Sequence, residues 1–256
     1  MLKVRTLFLS DIHLGYPLCQ AESLLRFLDT IEFDQLYLIG DIIDIWHLEW
    51  NNKYLYNSNH LEVLKRFIDY SKNAPTFFLY GNHDSQLVDP KYKMFFGLQG
   101  MSFSDSRTYE TLQGQRFLVS HGDKHDLVNY GRSHMLTKEL GDLVNGSILG
   151  FDHLQLAVRK GLGLKHWSLT NFLADKIRER KLSKQNLTFR QYYEQAVSQE
   201  AGDLDFDGAI CGHIHLPTDK NFDGVRYLND GDWVTSCTAL VETYDGKLQL
   251  LKYKPR

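Results

Sequence analysis

Five short polar motifs hold most of the chemistry available to this chain: Asp11-x-His13, Gly40-Asp41-x-x-Asp44, Gly81-Asn82-His83-Asp84, His121-Gly122-Asp123 and Gly212-His213-x-His215. Each follows a run of apolar residues. Asp, Asn and His without cysteine form a mixed oxygen and nitrogen donor set. Such a set suits Mn2+, Fe2+, Zn2+ or Ni2+ in five- or six-coordinate geometry rather than a structural tetrahedral zinc site. Residues i and i+2 on an extended rim can face one ion from the same side, which pairs Asp11 with His13. A carboxylate has two oxygens and can bridge two ions, which singles out Asp41. Gly40, Gly81 and Gly212 let the backbone turn sharply, so that the next side chain points inward. Alone, each motif reads as an ordinary loop or turn. Five in this order, each behind an apolar run, do not.

Such motifs need strands to carry them to a common rim. Residues 4–9, 36–39 and 76–80 read as buried strands, and residues 22–30 and 61–70 carry apolar side chains at helical spacing. Strand, helix, strand, helix, strand predicts βαβ units and a largely parallel sheet, whose strand ends are where open α/β folds place their chemistry. A further strand at 117–120 leads to His121. Residues 127–201 carry little strand signal and read as helices broken by glycines, which predicts a helical insertion, or lid, within a single domain spanning 1–256. Strands return at 208–211, 226–228, 238–242 and 248–253, and predict an antiparallel meander. Asp245-Gly246 predicts a type I′ hairpin between the last two.

Bulk properties narrow the class. The 256 residues can bury a sizeable core, and a net charge of −3 argues against a general nucleic-acid binder. The three cysteines, Cys19, Cys211 and Cys237, are far apart in sequence and fit free thiols in a reducing compartment. No apolar run reaches the ~20 residues that span a bilayer, and the first residues lead into a strand without a signal-peptide pattern. These features predict a cytoplasmic protein and leave open a peripheral contact with the inner membrane.

The motif set, in this order, resembles the calcineurin-like metallophosphoesterase superfamily from residue 7 onwards. The resemblance implies a four-layer αββα sandwich and two divalent ions, Mn2+ foremost. One ion would be held by Asp11, His13, Asp41 and His215, the other by Asp41, Asn82, His121 and His213. Two ions roughly 3.5–4 Å apart lower the pKa of a bound water, bind phosphate oxygens and neutralise transition-state charge. His83 follows the ligand Asn82, and the resemblance gives it the part of general acid or cationic stabiliser. Asp84 is placed to orient it. Asp44 and Asp123 read as partners of ligand histidines; for all three carboxylates, plain turn-stabilising hydrogen bonds are the competing reading.

The insertion must choose the substrate. Its stretch from Lys160 to Leu169, with Lys165 and Trp167, mixes basic and apolar residues, which suits a substrate with phosphate and lipid parts; a solvated helix face is the plainer reading. The run Gly40-Asp41-Ile42-Ile43-Asp44-Ile45-Trp46, the segment His166-Trp167-Ser168-Leu169 and the tail Asn229-Asp230-Gly231-Asp232-Trp233-Val234 resemble the bacterial UDP-2,3-diacylglucosamine diphosphatase family. That family cleaves its substrate to UMP and 2,3-diacylglucosamine 1-phosphate in lipid A synthesis. Its best-established members carry Gly-Asn-Arg-Asp where this chain has Gly81-Asn82-His83-Asp84. Arginine cannot donate a proton at neutral pH, whereas histidine can. The histidine-bearing branch leaves a second reading, a phosphatase or phosphodiesterase of soluble nucleotides or phosphoproteins. A non-catalytic scaffold would show lost ligands, and all seven positions are filled.

Overall fold

The apolar runs expected to be strands are strands, and those at 4–9, 36–39 and 117–120 begin earlier than expected. The structure, a computed structural model, describes residues 1–45, 58–125 and 185–254. β1 (Leu2–Leu9) and β2 (Ile31–Ile39) pair in parallel, with Leu7 beside Leu36 and Leu9 beside Leu38. Between them runs α1 (Ala21–Leu28). α2 (Ser58–Ser71) precedes β3 (Thr76–Leu79), which pairs in parallel with β2. The short helix α3 (Pro90–Phe95) leads to β4 (Ser102–Ser104) at one edge. β5 (Ser106–Glu110) and β6 (Arg116–Ser120) begin a second sheet. After α4 (Gln185–Asp203), β7 (Gly208–Cys211), β8 (Thr218–Phe222) and β9 (Val225–Asn229) complete it. β10 (Thr238–Glu242) and β11 (Leu248–Lys252) return to the first. The sheet orders are β11-β10-β1-β2-β3-β4 and β5-β6-β7-β9-β8.

Alternation along the central strands builds two cores. Leu7, Leu9, Leu36 and Leu38 face one way and pack with Leu24, Phe27, Val63 and Phe67 of α1 and α2. Phe8, Tyr37, Ile39 and Leu79 face the other way and meet Phe117, Val119, Ile210 and Leu228 of the second sheet. A period of two on strands buried on both faces thus gives a helix layer on one side and a sheet-on-sheet core on the other. On the far sheet, Gly202 of α4 leaves space for Val225 of β9; a Cβ there would lie 3.2 Å from Val225. The mixed α/β sandwich agrees with the expected fold class.

Two expectations are corrected. The C-terminal strands are not one meander: β7 pairs in parallel with β9, while β10 pairs antiparallel with β1 and β11 in the other sheet. Parallel pairing keeps the ends of β6, β7 and β9 on one rim. At the last hairpin, Gly246 alone takes a positive φ (78°), its N–H donates to the Thr243 carbonyl, and Thr243 N–H reaches Lys247 O. That is a type I turn closed by a left-handed glycine, not type I′.

The chain groups into two compact units, Met1–Asp123 with Ala196–Arg256, and Lys124–Gln195. Both sheets belong to the first. Most of the expected helical insertion, residues 126–184, lies outside the described residues.

A buried polar tie helps to join the sheets. The fully buried Glu242 carboxylate of β10 accepts from Arg5 of β1 and from the Tyr109 hydroxyl of β5, and also from Leu112 N–H at 2.8 Å. Removing it takes an acceptor from three donors, one of them the buried Tyr109 hydroxyl. Glu242→Ala is expected to cost about 2 kcal/mol, read as a lower denaturant midpoint with an unchanged slope.

Candidate active site

All five motifs sit where strands end, and the backbone there bends in an unusual way. Asp11, His13, Asp41, His213 and His215 have φ of 49°, 54°, 54°, 70° and 56°. They are five of eight non-glycine residues with positive φ among the described residues, and all five are expected metal ligands. Left-handed backbone is costly for side-chain-bearing residues, least so for Asp, Asn and His. Cross-rim hydrogen bonds hold it: Asp11 N–H to Gly40 O at 3.1 Å, His13 N–H to Asp41 O at 2.9 Å, and Gly212 N–H to His121 O at 3.2 Å. Glycine is needed where these turns meet. A Cβ on Gly40 would lie 2.6 Å from the His121 ring, and one on Gly81 would lie 2.3 Å from Asp41 Oδ1.

Asp11, Asp41 and His121 are each held by one polar atom and offer another. Asp41 Oδ1 accepts the His83 N–H at 2.8 Å. Its Oδ2 lies 3.3 Å from His121 Nε2 and 3.8 Å from His13 Nε2. The single oxygen Oδ2 therefore faces both groups of donors, whereas the expectation for a bridging Asp41 had used both oxygens. His121 Nδ1 donates to Ile39 O at 2.9 Å, which leaves Nε2 as its donor atom. Asp11 Oδ2 accepts the His213 N–H at 2.8 Å, while Oδ1 lies 3.1 Å from His215 Nε2. The ring of His213 stands edge-on to His121, with centroids 5.2 Å apart. Among the described residues, three clusters have ligand atoms within 4.8 Å of one another: Asp11 with His13 and His215, His13 with Asp41 and His83, and Asp11 with Asp41 and His121. Asp11, His13 and Asp41 belong to two each.

The orphaned atoms test whether this donor set fits divalent ions. Asp11 Oδ1, Asn82 Oδ1 and His121 Nε2 are buried and have no hydrogen-bond partner. Buried polar atoms are normally paired, since burying one unpaired costs ~1–3 kcal/mol. All three belong to the expected ligands, and all are of donor types that hard or borderline divalent ions take. The residues fit the ions.

The electrostatics follow from packing carboxylates and imidazoles together in a dry place. Desolvation alone would raise Asp41, but His121, His83 and His13 together outweigh it and hold Asp41 well below the usual carboxylate range. Desolvation would lower His121; Asp41 and Asp11 outweigh it and raise it well above an ordinary imidazole. His215 is likewise raised to about 10, with Asp11 and Asp232 overcoming desolvation. His83 is raised too, because Asp44 and Asp41 outweigh its burial.

The remaining carboxylates divide. Asp44 touches two histidines, with Oδ2 3.3 Å from His13 Nδ1 and Oδ1 3.2 Å from His83 Nδ1. Asp84 does not orient His83. Its oxygens accept Gly81 N–H at 2.7 Å and Ile42 N–H at 2.8 Å, so it ties the β2 and β3 rims together. Burial and the neighbouring Asp41 charge raise it to about 7. Asp123, at a 3-10 turn (Asp123–His125), acts on His121 by charge. Lys165 and Trp167 lie outside the described residues.

Asp232 is a site residue that the motif reading missed. Its Oδ2 lies 3.1 Å from His215 Nδ1, and its Oδ1 accepts the N–H groups of Val234, Thr235 and Ser236 at 3.1, 2.7 and 2.7 Å. The signal was present: Gly231-Asp232 beyond β9 repeats the Gly40-Asp41 pattern beyond β2.

Comparison with known proteins bears on this geometry. The chain matches the family model for calcineurin-like phosphoesterase over residues 4–217. It is 28% identical over 252 residues to the UDP-2,3-diacylglucosamine hydrolase of Shewanella sp. (strain MR-7), covering 95% of each chain. It is 25% identical to that of Vibrio atlanticus (strain LGP32), covering 94% of each. Hypothetical protein PH1004 of Pyrococcus horikoshii OT3 shares the fold, with a TM-score of 0.51 at 11% identity, covering 100% of this chain and 89% of that one.

The crowding at Gly81 gives a test. Gly81→Ala must displace Asp41 Oδ1 or its backbone. It should weaken Mn2+ binding to chelator-stripped protein by about 10-fold or more in a calorimetric titration, and unchanged affinity would show that the rim tolerates the displacement.

Proposed function

The chain belongs to the calcineurin-like phosphoesterases and is a phosphoester hydrolase. From that premise we propose that it uses two divalent ions, Mn2+ foremost, to cleave UDP-2,3-diacylglucosamine or a related nucleotide-linked glycolipid to UMP and the lipid 1-phosphate. The carrying observation is the full-length likeness to relatives named for that substrate, 28% identical over 95% of both chains. In this reading the reaction belongs to lipid A synthesis and runs on the cytoplasmic side, with peripheral contact to the inner membrane. Among the described residues no helix is long and apolar enough to cross a membrane.

In this reading one ion is held by Asp11, His13, Asp41 and His215, and the other by Asp41, Asn82, His121 and His213. When bound, the ions supply an activated water and neutralise phosphate charge. The protein's own groups then do the rest. Asp44 fixes His13 and His83 together, so ligand and catalytic imidazole move as one unit. His83 has its Nδ1 against Asp44, and nearby carboxylates favour its protonated form. As imidazolium it can give a proton to the oxygen leaving phosphorus, or stabilise that oxygen's charge. The lid over about 127–201, with Lys165 and Trp167 as substrate contacts, completes the proposal as an insertion within a single domain.

His83 also favours a second reading, a phosphodiesterase or phosphatase of soluble nucleotides, because the lipid A enzymes that this family is best known for carry arginine there. A mass-spectrometric assay separates the two. With Mn2+ and UDP-2,3-diacylglucosamine, the protein is expected to release UMP. No UMP alongside turnover of UDP-glucose or cyclic nucleotides would reject the lipid substrate. His83→Ala should lower kcat by about 10²–10⁴-fold, and Asp41→Ala by more, since it removes the shared ligand. Near-wild-type turnover by the Asp41 variant would exclude catalysis at this centre.

A further inference from the structure

Asp230 is 1% exposed and is used by nothing described so far. Its Oδ1 lies 2.5 Å from Ser10 Oγ, and Ser10 Oγ lies 2.7 Å from Asp11 Oδ2. Asp230 Oδ2 has no hydrogen-bond partner. We propose that Asp230 is a positioning residue that acts through the Ser10 hydroxyl to hold Asp11 Oδ2, so that Asp11 presents Oδ1 alone to a divalent cation.

Counting hydrogens supports this. The Ser10 hydroxyl has three acceptors in reach, Asp11 Oδ2, Asp230 Oδ1 and, at 3.3 Å, Gly231 O, but only one proton. A serine between two carboxyl groups can satisfy both only if one of them carries a hydrogen. Asp11 Oδ2 already takes the His213 N–H at 2.8 Å and its Oδ1 lies 3.1 Å from His215 Nε2, so Asp11 is the member built to accept. Asp230 is buried, and its second oxygen is unsatisfied, which a neutral carboxyl bears at far less cost than a charged one. The order of donation is then Asp230 to Ser10 to Asp11.

A second observation shows that space is reserved for this relay. A Cβ on Gly212 would fall 2.3 Å from Asp11 Oδ2 and 2.4 Å from Ser10 Oγ. The glycine lets the His213 amide and the serine hydroxyl close on the same oxygen. With Oδ2 occupied twice, Oδ1 is the orphaned atom that lies beside His215 Nε2 and in the cluster with His13. The relay thus decides which atom of Asp11 is a ligand. Asp11 as a ligand rests on the two-ion reading above, but not on its substrate.

The test is Mn2+ binding to the full chain, stripped of metal with a chelator and titrated calorimetrically without substrate. Ser10→Ala and Asp230→Ala are each expected to lower Mn2+ affinity by about 10-fold. The double variant should be no worse than Ser10→Ala alone, because both changes cut one path. Asp230→Asn, whose amide can donate to Ser10 in the same place, should restore most of the affinity lost in Asp230→Ala. Turnover lost in the alanine variants should return when Mn2+ is raised. An additive double variant, unchanged affinity in Asp230→Ala, or an Asp230→Asn as weak as Asp230→Ala would each overturn the relay. If Asp230→Ala does not fold, the comparison of Asp230→Asn with Ser10→Ala still decides: equal losses in both would overturn it. UMP release leaves this result untouched, so failure of the lipid assignment and failure of the relay are separate events.

Discussion

The hydrogen bond from the His83 amide to Asp41 Oδ1, 2.8 Å long, organises the rim. It ties the end of β3 to the end of β2 and occupies one oxygen of the central carboxylate. The other oxygen is thereby left facing His13 and His121 at once. It also fixes the backbone of His83, whose ring stands against Asp44. The lack of a side chain at Gly81 is what permits this approach, since a Cβ there would sit 2.3 Å from the accepting oxygen. Fold and chemistry meet in that contact. Parallel strands bring the two rims level, and their amides make the selection among oxygens that an isolated carboxylate cannot.

The same pattern recurs around the site. At Asp11, one oxygen is taken by a hydroxyl and an amide and the other is left bare; at His121, the Ile39 carbonyl takes one nitrogen and leaves the other. Side chains used in this way cannot rotate, so the donor atoms stay in place without an ion to hold them. The cost appears as strained backbone and orphaned buried atoms. Strain of this kind persists only where the surroundings over-determine it. Here they do, through two buried cores and a cross-rim network of backbone hydrogen bonds.

Much of this was legible in the sequence, and the reasons are physical. Strands buried on both faces read as continuous apolar runs, so β1, β2 and β7 were plain, and each motif's place at a strand end followed. Edge strands are half exposed and carry no such run. β8, with Thr218-Asp219-Lys220-Asn221-Phe222, therefore gave no signal. The placement of β10 and β11 in the first sheet depends on contacts far apart in sequence, which local pattern does not carry. Among the site residues, Asp232 had a signal in Gly231-Asp232 that the five motifs did not include, and Asp84 misled because adjacency to His83 is not contact with it. Asp230 could be found only by counting hydrogens around Ser10.

The left-handed turns at Asp11, His13, Asp41, His213 and His215 bear on how such a centre can be lost. A backbone of that shape accepts asparagine or glycine with little strain and resists valine, isoleucine or threonine. Erosion of the site by single replacements would then be channelled. Asparagine or glycine at these five positions would retire the chemistry and spare the fold. A branched residue there would damage both, and would mark a chain that had already found some other way to close its rim.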